Sequence, residues 1–137
     1  MQELPKVALT FDDGPSRKYT PKILEGLRER GILATFFLTG KNNHVCLNQI
    51  SKIRAKEEIE KTSNKIYEIT GEYPVFIRPP FGEWRQDLEL SIDMLPVFWD
   101  IDTLDWKSKS VPDILKIVES QIHEDAIILM HDGYETS

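Results

Sequence analysis

Short apolar runs that alternate with amphipathic helical stretches constrain this chain more than any other feature. VALTF (7–11) is apolar on both faces, as a strand inside a parallel sheet must be. A helix is predicted after it, with Thr20 as N-cap, Pro21 at the first helical position, Ile23, Leu24 and Leu27 on one face, and Gly31 at the end. LATFFLT (33–39) reads as a second strand, and from Ser51 a long helix carries Ile53, Ile59, Ile66 and Ile69 to a stop at Gly71. VFI (75–77), a helical segment near 84–94, PVFWDI (96–101), a helix from Pro112 to His123 and AIILM (126–130) complete the rhythm. The pattern is βαβαβ, an α/β fold of parallel strands joined by right-handed crossovers.

One interval breaks the rhythm. Between Thr39 and Ser51 only about ten residues are available, too few for a helix and a further strand. Length and composition otherwise suit one domain, 1–137: the chain has 137 residues, 40% of them hydrophobic. The formal charge of -6, with basic residues scattered, disfavours nucleic acid as a partner. A single cysteine makes no intrachain disulfide and leaves the compartment open. No signal peptide or membrane span is visible in MQELPKVALTF, so any export signal or anchor would have to lie outside this sequence.

The unusual polar residues stand where the apolar runs end, in TFDDGPS, FIRPPFG, FWDIDTLDW and ILMHDG. Parallel α/β folds build their active sites at the carboxyl ends of strands. Neighbouring strand residues point to opposite faces, so Asp12 and Asp13 converge only if the strand stops there, and Gly14-Pro15 is a good stop. The plainer alternative is an acidic surface turn. Arg78 precedes Pro79 and Pro80, which fix the loop, and Phe81 can aim a free N–H into a pocket; the alternative is a mere connection. Asp102, Asp105 and Trp106 offer two carboxylates and an indole, or else a helix-entry loop in which Trp106 covers the core. His131 can exchange protons near neutral pH, or serve as a satisfied structural histidine. Strand-end aspartates also serve phosphoryl transfer. The haloacid dehalogenase pattern, however, needs Asp-x-Asp, and a receiver domain needs lysine where His131 stands.

TFDDGP, RPPFG, DTLDW and LMH, in that order, resemble the motifs of the NodB-homology polysaccharide deacetylases, carbohydrate esterase family 4, across nearly the whole chain. The resemblance implies an irregular (β/α) barrel and a metal-dependent hydrolase that removes acetyl groups from a polysaccharide. By the same resemblance Asp12 is the general base and Asp13 a metal ligand. Arg78 pairs with Asp12, and the Phe81 N–H helps to stabilise the oxyanion. His131 is the general acid, oriented by Asp105, while Pro80, Phe81, Trp106 and Leu129 contact substrate. The implied cofactor is a divalent metal, zinc foremost, with cobalt (Co2+) or nickel (Ni2+) as alternatives.

The second family motif, His-x-x-x-His, is incomplete. His44 in NHVCL matches its second histidine and is the other expected metal ligand; the first histidine has no counterpart. The helix and strand that normally precede this motif are absent too, as are the elements expected beyond DGYETS. Three explanations stand. The sequence near 42–44 joins the flanks of missing residues; a deletion has produced a weakened or inactive relative; or Cys46 replaces the lost ligand. FWDIDTLDW is most like the peptidoglycan N-acetylglucosamine deacetylases, with chitin oligomers and acetylxylan as alternative substrates. The expected partner is a polysaccharide, the location extracellular or in the cell envelope, and the state a monomer.

Overall fold

A computed structural model describes residues 4–38, 50–79, 82, 84, 93–108 and 110–133. The chain divides into two compact units, residues 1–38 with 99–137, and residues 39–98.

In the first unit, β1 (Val7–Asp12), α1 (Thr20–Glu29), β2 (Thr35–Phe37), β5 (Ile101–Asp102), α3 (Val111–Gln121) and β6 (Ala126–His131) follow one another. The four strands form a parallel sheet in the order β2-β1-β6-β5, so the first strand lies beside the last. The two central strands bury residues on both faces, Thr10 and Phe11 in β1 and Ile128 and Leu129 in β6, as strands inside a parallel sheet do. Ile101, Ala126 and Ile128 form the core, packed by Val7, Leu9 and Met130 of the sheet and by Ile117 and Val118 of α3. Each fully buried isoleucine contributes about 2 kcal/mol to this core. Phe11 of β1 stacks on Phe36 of β2 with ring centroids 4.9 Å apart.

The second unit contains α2 (Lys52–Thr70), β3 (Phe76–Ile77) and β4 (Leu95–Pro96), and its two strands pair in parallel. Ser51 caps α2 by accepting the Arg54 N–H, and Gly71 closes it at φ 80°, a left-handed conformation that glycine adopts without penalty. Ala55 and Ile59 of α2 pack against Ile50, Ile77, Trp84 and Met94.

Two expectations need correction. Thr20 is not an N-cap: it is the first residue of α1, and Tyr19 holds the cap position without a side-chain bond. Ahead of the helix the Ser16 hydroxyl accepts the Tyr19 N–H, while the Thr20 hydroxyl accepts the Ser16 N–H. PVFWDI is not one strand but two, β4 and β5, in separate sheets. The carbonyls of Val97 and Phe98 accept from the Arg78 guanidinium instead of from a neighbouring strand, so the ladder stops between them. The segment predicted as a helix near 84–94 and the 42–44 junction lie outside the described residues, the first except for its ends.

Candidate active site

The site begins with the register of β1 and β6. Asp12 and His131 are direct partners across these parallel strands, each at the carboxyl end of its own. Side chains opposite each other in register share a face, so both residues serve the same side of the sheet. The strand stops immediately after Asp12, because Asp13 turns into the left-handed region at φ 69°. Aspartate tolerates that conformation better than most residues. The turn brings the Asp13 Oδ2 to 3.8 Å from the His131 Nε2.

The far side of the imidazole is held by Asp105. Its Oδ1 lies 2.7 Å from His131 Nδ1, and its Oδ2 accepts the His131 backbone N–H at 2.7 Å. As a carboxylate Asp105 only accepts, so Nδ1 carries the proton of that bond and Nε2 is left to exchange one. The Asp105 side chain is 1% exposed and that of His131 12%, so water competes weakly for the bond. Burial is the largest single influence on the imidazole and lowers its pKa. The Asp105 hydrogen bond and charge, with the charges of Asp13 and Asp12, outweigh it and raise the pKa above 6.5. Asp105 owes its position to a tight turn in which Asp102 Oδ1 accepts the Leu104 N–H and Leu104 is left-handed at φ 54°.

A further aspartate, to which the sequence motifs assigned no role, is part of this corner. Asp132 follows His131, donates its backbone N–H to the Asp12 carbonyl at 3.3 Å, and accepts the Thr20 hydroxyl on Oδ2 at 2.6 Å. Only its place after His131 at a strand end hinted at it, and an Asp-Gly pair there is an ordinary turn signal.

The remaining expected residues fall as follows. Trp106 is 53% exposed. Leu129 is buried in β6, two residues before His131 and on its face of the strand. Arg78 belongs to the second unit, is buried there, and donates to the carbonyls of Val97 and Phe98. Pro80, Phe81, His44 and Cys46 lie outside the described residues. Among the described residues no three His, Cys, Asp or Glu side chains form a group able to hold a metal ion. Catalytic zinc ordinarily takes three protein donors. Asp13 is one suitable oxygen donor, and the described residues by themselves do not complete a set.

A histidine clamped by one carboxylate and faced by another, on the carboxyl rim of a parallel sheet, marks an α/β protein equipped for acid–base chemistry. The chain belongs to the polysaccharide deacetylase family, whose family model matches residues 2–54 and 42–96. The two matched stretches overlap at residues 42–54, across most of the short interval between Thr39 and Ser51.

The chain is 30% identical over 155 positions to the peptidoglycan N-acetylglucosamine deacetylase PgdA of Listeria monocytogenes, covering 96% of this chain and 33% of that protein. An alignment of 155 positions on a chain of 137 must open gaps in it, so the relative has positions without counterpart here. PdaC of Bacillus subtilis, described as a peptidoglycan N-acetylmuramic acid deacetylase, is 32% identical over 96% of this chain and 33% of its own length. Its solved structure superposes with a TM-score of 0.90 and 32% identity over 96% of this chain and 76% of that one, which shows the NodB-type fold. A pseudoenzyme of carbohydrate esterase family 4 from Bacillus anthracis superposes with a TM-score of 0.86 and 28% identity, over 95% of this chain and 55% of that one. The chain thus spans about a third of the length of these two curated relatives.

Proposed function

We propose that residues 1–137 form a single catalytic domain of a metal-dependent hydrolase that removes N-acetyl groups from a cell-wall polysaccharide, the N-acetylglucosamine residues of peptidoglycan foremost. The observation that carries this reading is the Asp105–His131–Asp13 array beside Asp12 at the ends of β1 and β6. Amide hydrolysis needs a base for the attacking water and an acid for the departing amine, because an amide nitrogen leaves poorly until it is protonated. Asp12 takes the proton from water; His131, held by Asp105, gives one from Nε2 to the amine. The family resemblance assigns to Arg78 the role of orienting Asp12 and to the Phe81 N–H that of stabilising the oxyanion. Trp106 and Leu129 line the acetyl subsite, and the family resemblance adds Pro80 and Phe81 as substrate-binding residues. A divalent ion, zinc foremost with cobalt or nickel as alternatives, would be held by Asp13 and His44, and when bound supplies polarisation of the carbonyl and of the water. The protein acts on its polysaccharide as a monomer in the cell envelope or outside the cell. The names of the similar proteins support peptidoglycan as the substrate, one naming N-acetylglucosamine and the other N-acetylmuramic acid.

The test is acetate release and mass change when the whole protein is given peptidoglycan fragments, chitin oligomers and acetylxylan. Release from peptidoglycan with new glucosamine residues is the expected result. Release from muramic acid alone, or from another polymer alone, reassigns the substrate.

A second reading is a catalytically impaired or glycan-binding relative. The unmatched first histidine favours it, and so does the likeness to a family pseudoenzyme. Glycan binding by the whole protein, with no acetate released at any metal concentration, would establish it.

A further inference from the structure

We propose that Asp132 is a positioning residue of this site, which locks the turn carrying Asp12 and Asp13 against the end of β6. The inference rests on the roles given above to those two aspartates and to His131.

Three contacts converge on Asp132. Its N–H extends the β1–β6 ladder by one bond to the Asp12 carbonyl, at 3.3 Å. Its Oδ2 accepts the Thr20 hydroxyl at 2.6 Å, and that hydroxyl in turn accepts the Ser16 N–H at 2.7 Å, on the far side of the same turn. Its carboxylate also fills the space that a side chain on Gly14 would need: a methyl group built there falls on the carboxylate atoms. Gly14 is not among the residues of positive φ, so close approach and not backbone conformation calls for glycine here. Asp132 therefore grips the DDG turn at Asp12, at Gly14 and, through Thr20, at Ser16, while sitting next to His131 in the chain.

The residue is a poor choice for stability alone. It is 1% exposed, and its Oδ1 has no hydrogen-bond partner among the described residues. A buried polar atom without a partner costs free energy that an apolar side chain would not. What the carboxylate provides is shape: a flat, forked group wedged between Gly14 and Thr20. Displacing a base by about 1 Å costs on the order of 100-fold in rate, so a wedge under the turn has catalytic value without touching substrate.

The experiment compares Asp132→Ala, Asp132→Asn, Gly14→Ala and the double variant Gly14→Ala/Asp132→Ala in the whole protein, by kcat, KM and melting temperature. Asp132→Ala is expected to lower kcat roughly 100-fold with KM little changed. Asp132→Asn keeps the shape and the Thr20 bond and retains most of kcat. Gly14→Ala lowers both kcat and melting temperature, and the double variant exceeds Gly14→Ala in both, because the obstructing carboxylate is gone. Unchanged kcat in Asp132→Ala, equal loss in Asp132→Asn, or a double variant no better than Gly14→Ala would each overturn the proposal. If Asp132→Ala does not fold, Thr20→Val takes its place, with a smaller kcat loss expected and no loss counting against the wedge. If the whole protein releases no acetate from any polymer, the functional reading fails separately. The melting-temperature cycle and the NMR signals of the His131 ring then decide: coupling with displaced ring signals upholds the positioning role, and absence of either defeats it.

Discussion

Asp105 holds His131 twice, through the ring Nδ1 and through the backbone N–H, both at 2.7 Å. One buried carboxylate thus fixes the ring's rotation and its tautomer together. The double grip also biases the charge, since Asp105 contributes both the hydrogen bond and the largest of the carboxylate charges that raise the imidazole pKa against its burial.

The first prediction follows from that balance. Replacing Asp105 by Asn removes the charge and leaves the burial, so the His131 pKa should fall from above 6.5 to a lower value. An NMR titration of the metal-free protein, with the signal assigned from His131→Gln, measures it; an unchanged or higher value contradicts the grip. The sign for stability is fixed by linkage. A raised native pKa stabilises fully below the unfolded value of about 6.5 and loses that contribution as pH rises through the native pKa. The charge-dependent part of the destabilisation in Asp105→Asn should accordingly shrink as unfolding is followed from pH 5.5 to pH values above the native pKa.

Much of this corner was legible in the residues because strand ends are punctuated. VALTF and AIILM are apolar on both faces, and the acids and histidine that follow them had to lie on one rim. Adjacent Asp12 and Asp13 required a break, and the break is the left-handed Asp13. What could not be read depends on partners far away in sequence. PVFWDI is interrupted because Arg78, about twenty residues earlier, claims two of its carbonyls. Thr20 has the local pattern of a cap, whereas its hydroxyl donates to Asp132, 112 residues later. Asp132 itself carried no distinctive pattern.

The two neighbouring aspartates should separate cleanly. Asp12→Asn is expected to lower turnover by about 100-fold or more, the worth of a positioned base, while metal content stays near that of the parent. Asp13→Asn should lose metal and activity together. Elemental analysis of the purified variants beside the deacetylation rate reads both quantities, and the opposite pattern would mean that the two roles are exchanged.

Helix α2 offers a prediction about stability alone. Ser51→Ala removes the acceptor of the Arg54 N–H and should cost about 1 kcal/mol. Gly71→Ala meets nothing within 4 Å, so its cost is purely that of holding alanine in a left-handed conformation, about 1–2 kcal/mol. Denaturant unfolding should report both losses. A neutral Gly71→Ala would show that the helix end relaxes out of that conformation.

Trp106 tests whether the exposed rim next to Asp105 meets the glycan. An indole that is 53% exposed contributes little to the core, so Trp106→Ala should change stability by no more than about 0.5 kcal/mol. Its loss should nevertheless lower kcat/KM about tenfold, equivalent to one aromatic contact of about 1.4 kcal/mol with the sugar or its acetyl group. Trp106→Phe keeps an apolar ring there and should recover part of the difference. Chain-length dependence locates the contact. A tryptophan in the acetyl subsite affects short and long oligosaccharides alike, whereas one that stacks on a neighbouring sugar affects only the longer substrates. If Trp106→Ala unfolds readily instead, the indole serves the core after all, and its exposed edge has no part in recognition.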